Sequence, residues 1–279
     1  MEDDKIISRN LNRYNSLTDR ILNEWNDYEF FVDYLSVSLT DYLKLLPSFE
    51  GYVKYKLIDN QEISLCLYTK ILQAICDYIK GKSILAYENM KEAFSCIKDI
   101  LKRKSSYRYT LNAEYGFKAR VVTNKEPTPC KEGMFHIPFE LRHKVQDNRF
   151  SIHGIPSVYL GQSIYDCYME LGCPSLDTFW VSLFTFTQDK NNVLSANHIN
   201  LIDLTLAQHD FHILWASVKK DDESYYAALD RLIDDILLWP LIMACAVPCK
   251  YPKAPFQQEY IIPQILYELC SEYNEFVGI

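Results

Sequence analysis

The sequence predicts an α+β fold, in which a helical N-terminal third precedes strands and helices in mixed order. Two observations support this. Apolar residues recur at helical spacing from about Ser16 to Lys104. From Tyr115 to Thr123, β-branched and aromatic residues alternate with polar ones, as in a strand. Strands and helices do not alternate strictly after this point, which favours α+β over α/β.

The N-terminal third is predicted to be a small helical bundle. Residues 1–15 are polar and are expected to be frayed. Helical periodicity then covers three stretches, which are 16–46, 62–80 and 83–104, with breaks at Pro47, Gly51 and Gly81. The basic run at 102–104 and the two serines after it indicate a helix end or linker. We therefore expect a helical domain over 1–106 and a second domain over 107–279.

From Phe179 onwards, the second domain is expected to contain two more strands and two helices. Phe179–Phe186 and Ile199–Leu204 are strand candidates, and Tyr225–Leu238 has the apolar spacing of an amphipathic helix. We expect Trp239-Pro240 to end or kink that helix, because proline lacks the backbone N–H. The segment Gln258–Cys270 is predicted to start as a strand or turn and to become a helix after Pro263.

Composition limits the classes of function. Of the 279 residues, 48% are hydrophobic and 24% charged, which is a globular composition, and the net charge of −8 argues against a general nucleic-acid binder. Residues 117–149 nevertheless contain seven Lys/Arg against four Asp/Glu. A positive segment in an acidic chain suits a small phosphate-bearing ligand. Chance clustering on a solvated face explains the charges equally well.

Cysteine usage and the N-terminus favour a cytoplasmic protein. The nine cysteines form no C-x-x-C pair, so neither a disulfide framework nor structural zinc is predicted. The start, MEDDKIISRN, is too acidic and polar for a standard signal peptide, and no apolar run reaches the roughly 18 residues of a membrane span. His209 and His212 lie three residues apart beside Asp210, but no third ligand stands at a recognisable spacing from them. We therefore expect no metal site.

The stretch Met134–Gly172 differs from its surroundings. A basic, histidine-containing segment leads into a turn at His153–Pro156, and a short apolar strand is predicted at Ser157–Leu160. A predicted helix carrying Glu170 follows. Cations before the turn and one carboxylate after it suit an anionic ligand that is held beside a reactive bond.

Several motifs in this half of the chain carry a resemblance to a known family. The specific one is Arg149-Phe150-Ser151-x-x-Gly154-x-Pro156-Ser157-x-Tyr159-Leu160-Gly161-x-Ser163, with Glu170 eleven residues after Tyr159. The others are Phe117–Arg120, Met134–Phe139, Leu238–Ile242 and Glu259–Gln264. With these motifs, the chain from about 115 to 279 resembles the RES domain family, in its long form with an N-terminal helical extension.

The resemblance implies a fold similar to ADP-ribosyltransferase toxins and an activity on NAD. Family members break the nicotinamide–ribose bond and transfer ADP-ribose to phosphate, as NAD phosphorylases do, or to water or a protein side chain. They commonly act as bacterial toxins that a partner encoded beside them neutralises. The expected ligands are therefore NAD and phosphate without a metal, and the expected partner is an antitoxin or defence protein. A homo-oligomer is compatible with this expectation.

The resemblance also assigns roles to individual residues. Glu170 would stabilise the oxocarbenium-like ribose that remains when nicotinamide leaves, unless it is an ordinary solvated helix glutamate. Arg120 is the first choice for the pyrophosphate and Arg149 the second, because the guanidinium fork binds phosphate in two places. In another alignment Lys118 takes the place of Arg120.

Three further residues have two interpretations each. Tyr159 stacks on nicotinamide or ribose, or it is a core strand tyrosine. His136 contacts phosphate, or it is a satisfied core histidine. Ser163 contacts the ligand, or it caps the predicted helix.

The chain departs from the family at the serine expected between the two late motifs. No serine occurs from Tyr226 to Cys270, and Cys245 or Ala246 stands at the expected place. A deliberate serine-to-alanine change, a substitution by cysteine or a loss of activity would each explain this. The third explanation leaves an alternative function, a nucleotide-binding or partner-binding module without turnover.

Overall fold

The computed structural model describes residues 2–109, 115–122, 130, 132–145, 147–185, 204, 223–273 and 279. Contacts divide the chain into two compact units, which we call the helical unit (1–105 with 201–279) and the strand unit (106–200). The described residues are mostly helical with one small sheet, in agreement with an α+β class. Residues 201–279, which the sequence places in one domain with the strands, group with the N-terminal helices in the contact-based division.

The described helices are α1 (Glu2–Glu24), α2 (Phe31–Leu45), α3 (Gly51–Asp59), α4 (Gln61–Ile79), α5 (Ser83–Tyr109), α6 (Ile164–Glu170), α7 (Glu223–Ala246) and α8 (Ile261–Glu272). Short 3₁₀ turns lie at Trp25–Asp27, Leu46–Ser48, Glu132–Met134, Phe139–Lys144, Leu176–Thr178 and Gln258–Tyr260. The prediction of a helical N-terminal third is confirmed. Sequence analysis missed α3.

The prediction that residues 1–15 are frayed is wrong, because α1 begins at Glu2. Ile7, Leu11 and Tyr14 are buried at helical spacing on one face of this helix. Asn10 is also buried, and its side-chain amide pairs with the backbone of Glu50 in both directions, at 2.9 and 3.1 Å. Polar residues between the apolar positions hid this stripe in the sequence.

Of the two outcomes expected at Trp239-Pro240, an end or a kink, the end is wrong, because helix α7 continues through Pro240. Proline has no N–H to donate to the carbonyl four residues earlier, and that carbonyl belongs to Ile236. The hydroxyl of Tyr42 donates to this oxygen at 2.8 Å and replaces the missing bond. The indole ring of Trp239 stacks on Tyr42, with ring centroids 4.9 Å apart. Tertiary contacts therefore stabilise the helix where its local sequence is unfavourable.

The last helix, α8, begins at Ile261, two residues before the proline that was expected to precede it. Pro263 lies in the first turn, where a backbone N–H has no intrahelical partner, so its missing donor costs little. Glu259, just before this helix, is buried and accepts hydrogen bonds from the Trp25 indole (3.2 Å) and the Lys250 backbone N–H (2.8 Å). Glu259, the first residue of the motif Glu259–Gln264, thus stabilises the packing of the helical unit.

The strand unit contains an antiparallel pair, β1 (Tyr115–Val121) and β2 (Phe179–Thr185), as the sequence predicted for these two segments. Their register places Arg120 opposite Trp180. The predicted strand at Ser157–Leu160 is wrong, since these residues have no strand hydrogen bonding. The predicted strand at Ile199–Leu204 lies, apart from Leu204, outside the described residues.

Gly161 pairs with the free edge of β1 through two backbone hydrogen bonds to Phe117, at 2.9 and 2.7 Å. A Cβ atom at Gly161 would lie 2.5 Å from the sulfur of Cys167, a distance that no side chain tolerates. The Cys167 thiol donates to the Phe117 carbonyl at 3.3 Å. This close approach explains the glycine and packs α6 against β1.

Candidate functional site

A cavity of about 270 Å³ lies in the strand unit, beside β1. Its wall contains two lysines and a tyrosine together with amide, hydroxyl and apolar groups. The lining residues are Lys118, Ile137, Lys144, Val145, Asn148, Ser151, Ile155, Pro156, Ser157 and Tyr159. Two candidates from the sequence analysis, Lys118 and Tyr159, therefore share one cavity. We call it the lysine-lined cavity.

Lys118 and Arg120 lie two residues apart on β1, so both side chains point to the same face of the strand. The Lys118 ammonium group donates to the Phe135 carbonyl at 2.7 Å, and Arg120 donates to the Gly133 carbonyl at 3.3 Å. Burial, and then the positive charge of Arg120, lower the pKa of Lys118. A bound anion would favour the charged lysine and reverse this shift.

The opposite wall is formed by a turn that is fixed by hydrogen bonds. The Ser151 hydroxyl accepts from the Asn148 backbone N–H and donates to the Asn148 carbonyl, both at 2.9 Å. The Tyr159 hydroxyl donates to the Phe150 carbonyl at 2.5 Å. The phenol of Tyr159 thus helps to hold the turn, while 38% of the residue remains exposed. The predicted turn at Gly154 is present, with φ of +72°.

Glu170 is the last residue of α6, and its side chain is exposed. It is not among the residues that line the cavity. At the other end of this helix, Ser163 is the N-cap, because its hydroxyl accepts from the Asp166 backbone N–H at 3.0 Å. The same hydroxyl donates to the Asp166 carboxylate at 2.8 Å. Of the two interpretations of Ser163, the helix cap is confirmed.

His136 and Arg149 flank the cavity in sequence but are not among its lining residues. The ring of His136 lies against Phe135 and Phe139, with centroids 4.5 and 5.7 Å away. Its Nδ1 is 2.8 Å from the Ile137 carbonyl oxygen. The histidine therefore has a backbone partner, but it is only half-buried between two exposed phenylalanine rings and is not a core residue. Arg149 is half-buried.

Cys245 and Ala246 end α7 in the helical unit, while the other candidates lie in the strand unit. Cys245 is 3% exposed, and Ala246 is exposed. His209, Asp210 and His212 lie outside the described residues. Within the described part of the chain, no group of three His, Cys, Asp or Glu side chains could hold a metal ion.

Four polar residues of the cavity wall were not predicted as site residues, and they are Lys144, Asn148, Ser151 and Ser157. Lys144 was noted only as a cation of the basic segment before the turn, and Ser151 and Ser157 only as positions of the family motif. Asn148 and Ser151 are short polar residues in a loop, and their types do not distinguish a cavity wall from an ordinary turn. The excess of positive charge over 117–149 was the signal that indicated this location.

No protein-family model matches the sequence, and no solved structure matches it. A curated protein of Bacillus subtilis (strain 168), named "Putative toxin YopC", is 29% identical to this chain over 259 residues. The similarity covers 91% of this chain and 55% of that protein, so the chain spans about half the length of its relative. The region of similarity therefore includes residues of both the helical unit and the strand unit. No helix of the described residues is long and apolar enough to cross a membrane.

Proposed function

We propose that this chain is a toxin that binds NAD at the lysine-lined cavity and breaks the nicotinamide–ribose bond. The toxin part of the proposal rests on the name of the Bacillus subtilis relative. The NAD part rests on the RES-like motifs and on one structural observation, the grouping of Lys118, Lys144 and Tyr159 in one cavity beside Arg120.

The chemistry of the cavity suits a pyrophosphate. Two lysines supply positive charge, and Arg120 extends it along the same face of β1. A volume of about 270 Å³ is at the lower end for small-molecule sites, so it suits a phosphate and part of a sugar better than a whole dinucleotide. In this proposal the rest of NAD extends out of the cavity, with the ring of Tyr159 as a stacking surface.

In the proposed reaction the C1′–N bond breaks and its electron pair leaves with nicotinamide. Water then attacks the cationic C1′ and loses a proton to solvent, or phosphate attacks C1′ through an ionised oxygen. A carboxylate near the ribose stabilises the positive charge in the transition state. We assign this role to Glu170, the exposed carboxylate at the end of α6. This assignment requires the nicotinamide ribose to lie outside the cavity, since Glu170 is not one of the lining residues.

The test measures nicotinamide release from NAD by the purified chain, with and without inorganic phosphate. We expect Glu170→Gln to reduce kcat by about 100-fold or more, because it removes the charge while keeping the shape. Lys118→Ala should mainly raise KM. The exposed Lys253→Ala serves as the matched control. Absence of nicotinamide release, or full activity of Glu170→Gln, would contradict the proposal.

A binding module without turnover is the second candidate. The exposure of Glu170 outside the cavity and the absence of a serine at Cys245 or Ala246 favour it. Calorimetric titration with NAD separates the two candidates, because binding without nicotinamide release, even in Ala246→Ser, supports the module. Transfer of ADP-ribose to a protein would instead appear as labelled protein when labelled NAD is used. A neutralising partner and self-association stay as predictions.

A further inference from the structure

Two cysteines face each other between α4 and α5 in the helical unit. The sulfur atoms of Cys66 and Cys96 are 3.2 Å apart. Cys96 is exposed and Cys66 is partly exposed, so small reagents in solvent reach this position. The pair lies in a different unit from the lysine-lined cavity, and the proposed function does not use it.

Polar contacts beside the two cysteines fix how α4 and α5 are aligned. The Lys70 ammonium group contacts the Glu92 carboxylate at 2.5 Å and donates to the side-chain oxygen of Asn89 at 3.2 Å. Asn89 in turn donates to the Asp77 carboxylate at 3.2 Å. Lys70 lies one helical turn after Cys66 on α4, and Glu92 lies one helical turn before Cys96 on α5. This register keeps the two sulfur atoms opposite each other.

We propose that Cys66 and Cys96 form a redox-active pair, which a peroxide converts into an intramolecular disulfide. The Cys96 thiolate attacks the peroxide, which gives a sulfenic acid and releases one water. The Cys66 thiolate then attacks the sulfenic sulfur, and the S–S bond forms as a second water leaves. Two thiols thus lose two electrons and two protons in total, and hydrogen peroxide is reduced to two molecules of water.

The surroundings assign different roles to the two thiols. Burial, the neighbouring Cys96 and the Glu92 carboxylate raise the pKa of Cys66 to about 11, although Lys70 opposes this shift. A thiol with a raised pKa is a poor first nucleophile at neutral pH. Cys96, the more exposed of the two, therefore meets the oxidant, and Cys66 resolves the sulfenic acid from its position at 3.2 Å.

The bond would form with little movement, since the sulfur atoms need to approach from 3.2 Å to about 2.05 Å. It would link α4 to α5 across a separation of 30 residues and so restrict the unfolded chain. Oxidation should therefore raise the Tm of the full chain by about 5 °C or more. A thiol reductant would reverse such a bond by thiol–disulfide exchange.

The experiment treats the reduced full chain with hydrogen peroxide, blocks free thiols by alkylation and maps the peptides by mass spectrometry without reduction. We expect one cross-linked peptide that contains Cys66 and Cys96 and disappears with dithiothreitol. In Cys66→Ser, the sulfenic acid on Cys96 should persist and react with dimedone. Cys76→Ser, which changes another α4 cysteine, is the matched control and should form the cross-link as the unchanged chain does.

Three results would overturn the proposal. The first is that both thiols stay as alkylatable as before treatment, the second that Cys96 bonds to a different cysteine, and the third that Cys96 proceeds to sulfinic acid while Cys66 is present. A lower Tm of the cross-linked chain would contradict the inference that the native register suits the bond.

Discussion

The two units differ in how they use their side chains. The helical unit buries large aromatic residues completely, among them Trp25, Phe31, Tyr34 and Trp239. Among the described residues of the strand unit, the buried positions are few and mostly small, and they are Gly116, Val122, Met134, Ser151 and Cys167. Because apolar burial is the main favourable term in folding, the helical unit has the larger source of stability.

Polar groups differ between the units in the same way. In the helical unit, buried Asn10 and Glu259 have specific backbone or indole partners and fix the packing. In the strand unit, Lys118 and Tyr159 are partly exposed around a cavity. The comparison teaches that one unit uses polar groups to specify its core, while the other presents them to solvent. A ligand that binds the native cavity would therefore stabilise the strand unit by mass action.

The largest effect is expected from Trp239→Ala in the core of the helical unit. The indole is fully buried, stacks on Tyr42 and donates to the Thr18 hydroxyl at 3.0 Å. Its removal leaves a cavity and takes one donor from the Thr18 hydroxyl, which keeps its own bond to the Tyr14 carbonyl at 2.9 Å. We therefore expect a loss of about 4 kcal/mol in the free energy of unfolding, mostly from the cavity. Urea unfolding measures this loss. Tyr55→Ala, at a 71% exposed aromatic of α3, should stay within about 0.5 kcal/mol.

If Trp239→Ala does not fold, Trp239→Phe is measured instead. It keeps an aromatic ring in the core, so its loss in the free energy of unfolding should be smaller than that expected for Trp239→Ala. A loss no greater than that of Tyr55→Ala would break the comparison, because the helical core would then not be the main source of stability.

Arg103→Ala should have the next largest effect. Arg103 donates to both carboxylate oxygens of Asp234, at 3.1 and 2.7 Å, and Asp234 is 3% exposed. Without this partner the buried carboxylate keeps only the weaker attraction of Lys104. Because Arg103 itself is half-exposed, we expect a loss of about 2 kcal/mol at pH 7. Thermal unfolding at several pH values measures it, with the exposed Lys80→Ala as control.

The loss in Arg103→Ala should depend on pH. Burial raises the pKa of Asp234 although Arg103 lowers it, so the protonated form favours the folded state and stability falls as pH rises through the raised pKa. Removing Arg103 raises this pKa further. The free energy of unfolding of the variant should therefore be closest to that of the unchanged chain near pH 4. An equal loss of stability at pH 4 and pH 7 would contradict this explanation.

Gly161→Ala tests the thin core of the strand unit. The added Cβ would lie 2.5 Å from the Cys167 sulfur, which forces α6 away from β1 and should cost about 2 kcal/mol. Hydrogen exchange over β1 and α6 measures the loss. The double variant Gly161→Ala/Cys167→Ala removes the clashing sulfur and should recover part of it. Gly133→Ala, where the nearest atom is 3.7 Å away, is the control.

Ser163→Ala should have the smallest effect. It removes the hydroxyl that caps α6, for an expected loss of about 1 kcal/mol confined to that helix. Faster amide exchange in α6 with an unchanged helical unit is the expected result, and Ser163→Thr should restore protection. Equally faster amide exchange in the helical unit and in the strand unit would contradict the expectation that the loss is confined to α6.

Local sequence patterns predicted much of the secondary structure. The segments that became α4, β1 and β2 were found because their apolar periods are clear over whole elements. Helix α7 was expected to end or kink at Pro240. The sequence did not show that it continues, because the hydroxyl of Tyr42 that replaces the missing backbone donor comes from a residue far away in sequence. Ser157–Leu160 was expected to be a strand, since its composition is strand-like while its hydrogen bonds are not.

For the candidate site, the sequence indicated the basic segment, the turn at Gly154 and the cap at Ser163. Side-chain types at short spacing are enough for such features. Sequence reasoning did not separate Glu170 and Arg149, which do not line the cavity, from Lys118 and Tyr159, which do. That distinction depends on where β1 and the following loop meet.

The sequence by itself determined the α+β class, the helical N-terminal third and the concentration of cations before the turn at Gly154, because each depends on the order of residue types along the chain. Only the tertiary structure decided that residues 201–279 group with the N-terminal helices and that Lys118 and Tyr159 share a cavity. It also placed Cys66 opposite Cys96. These features join residues that are distant in sequence, and they arise from packing between elements, which no local period encodes.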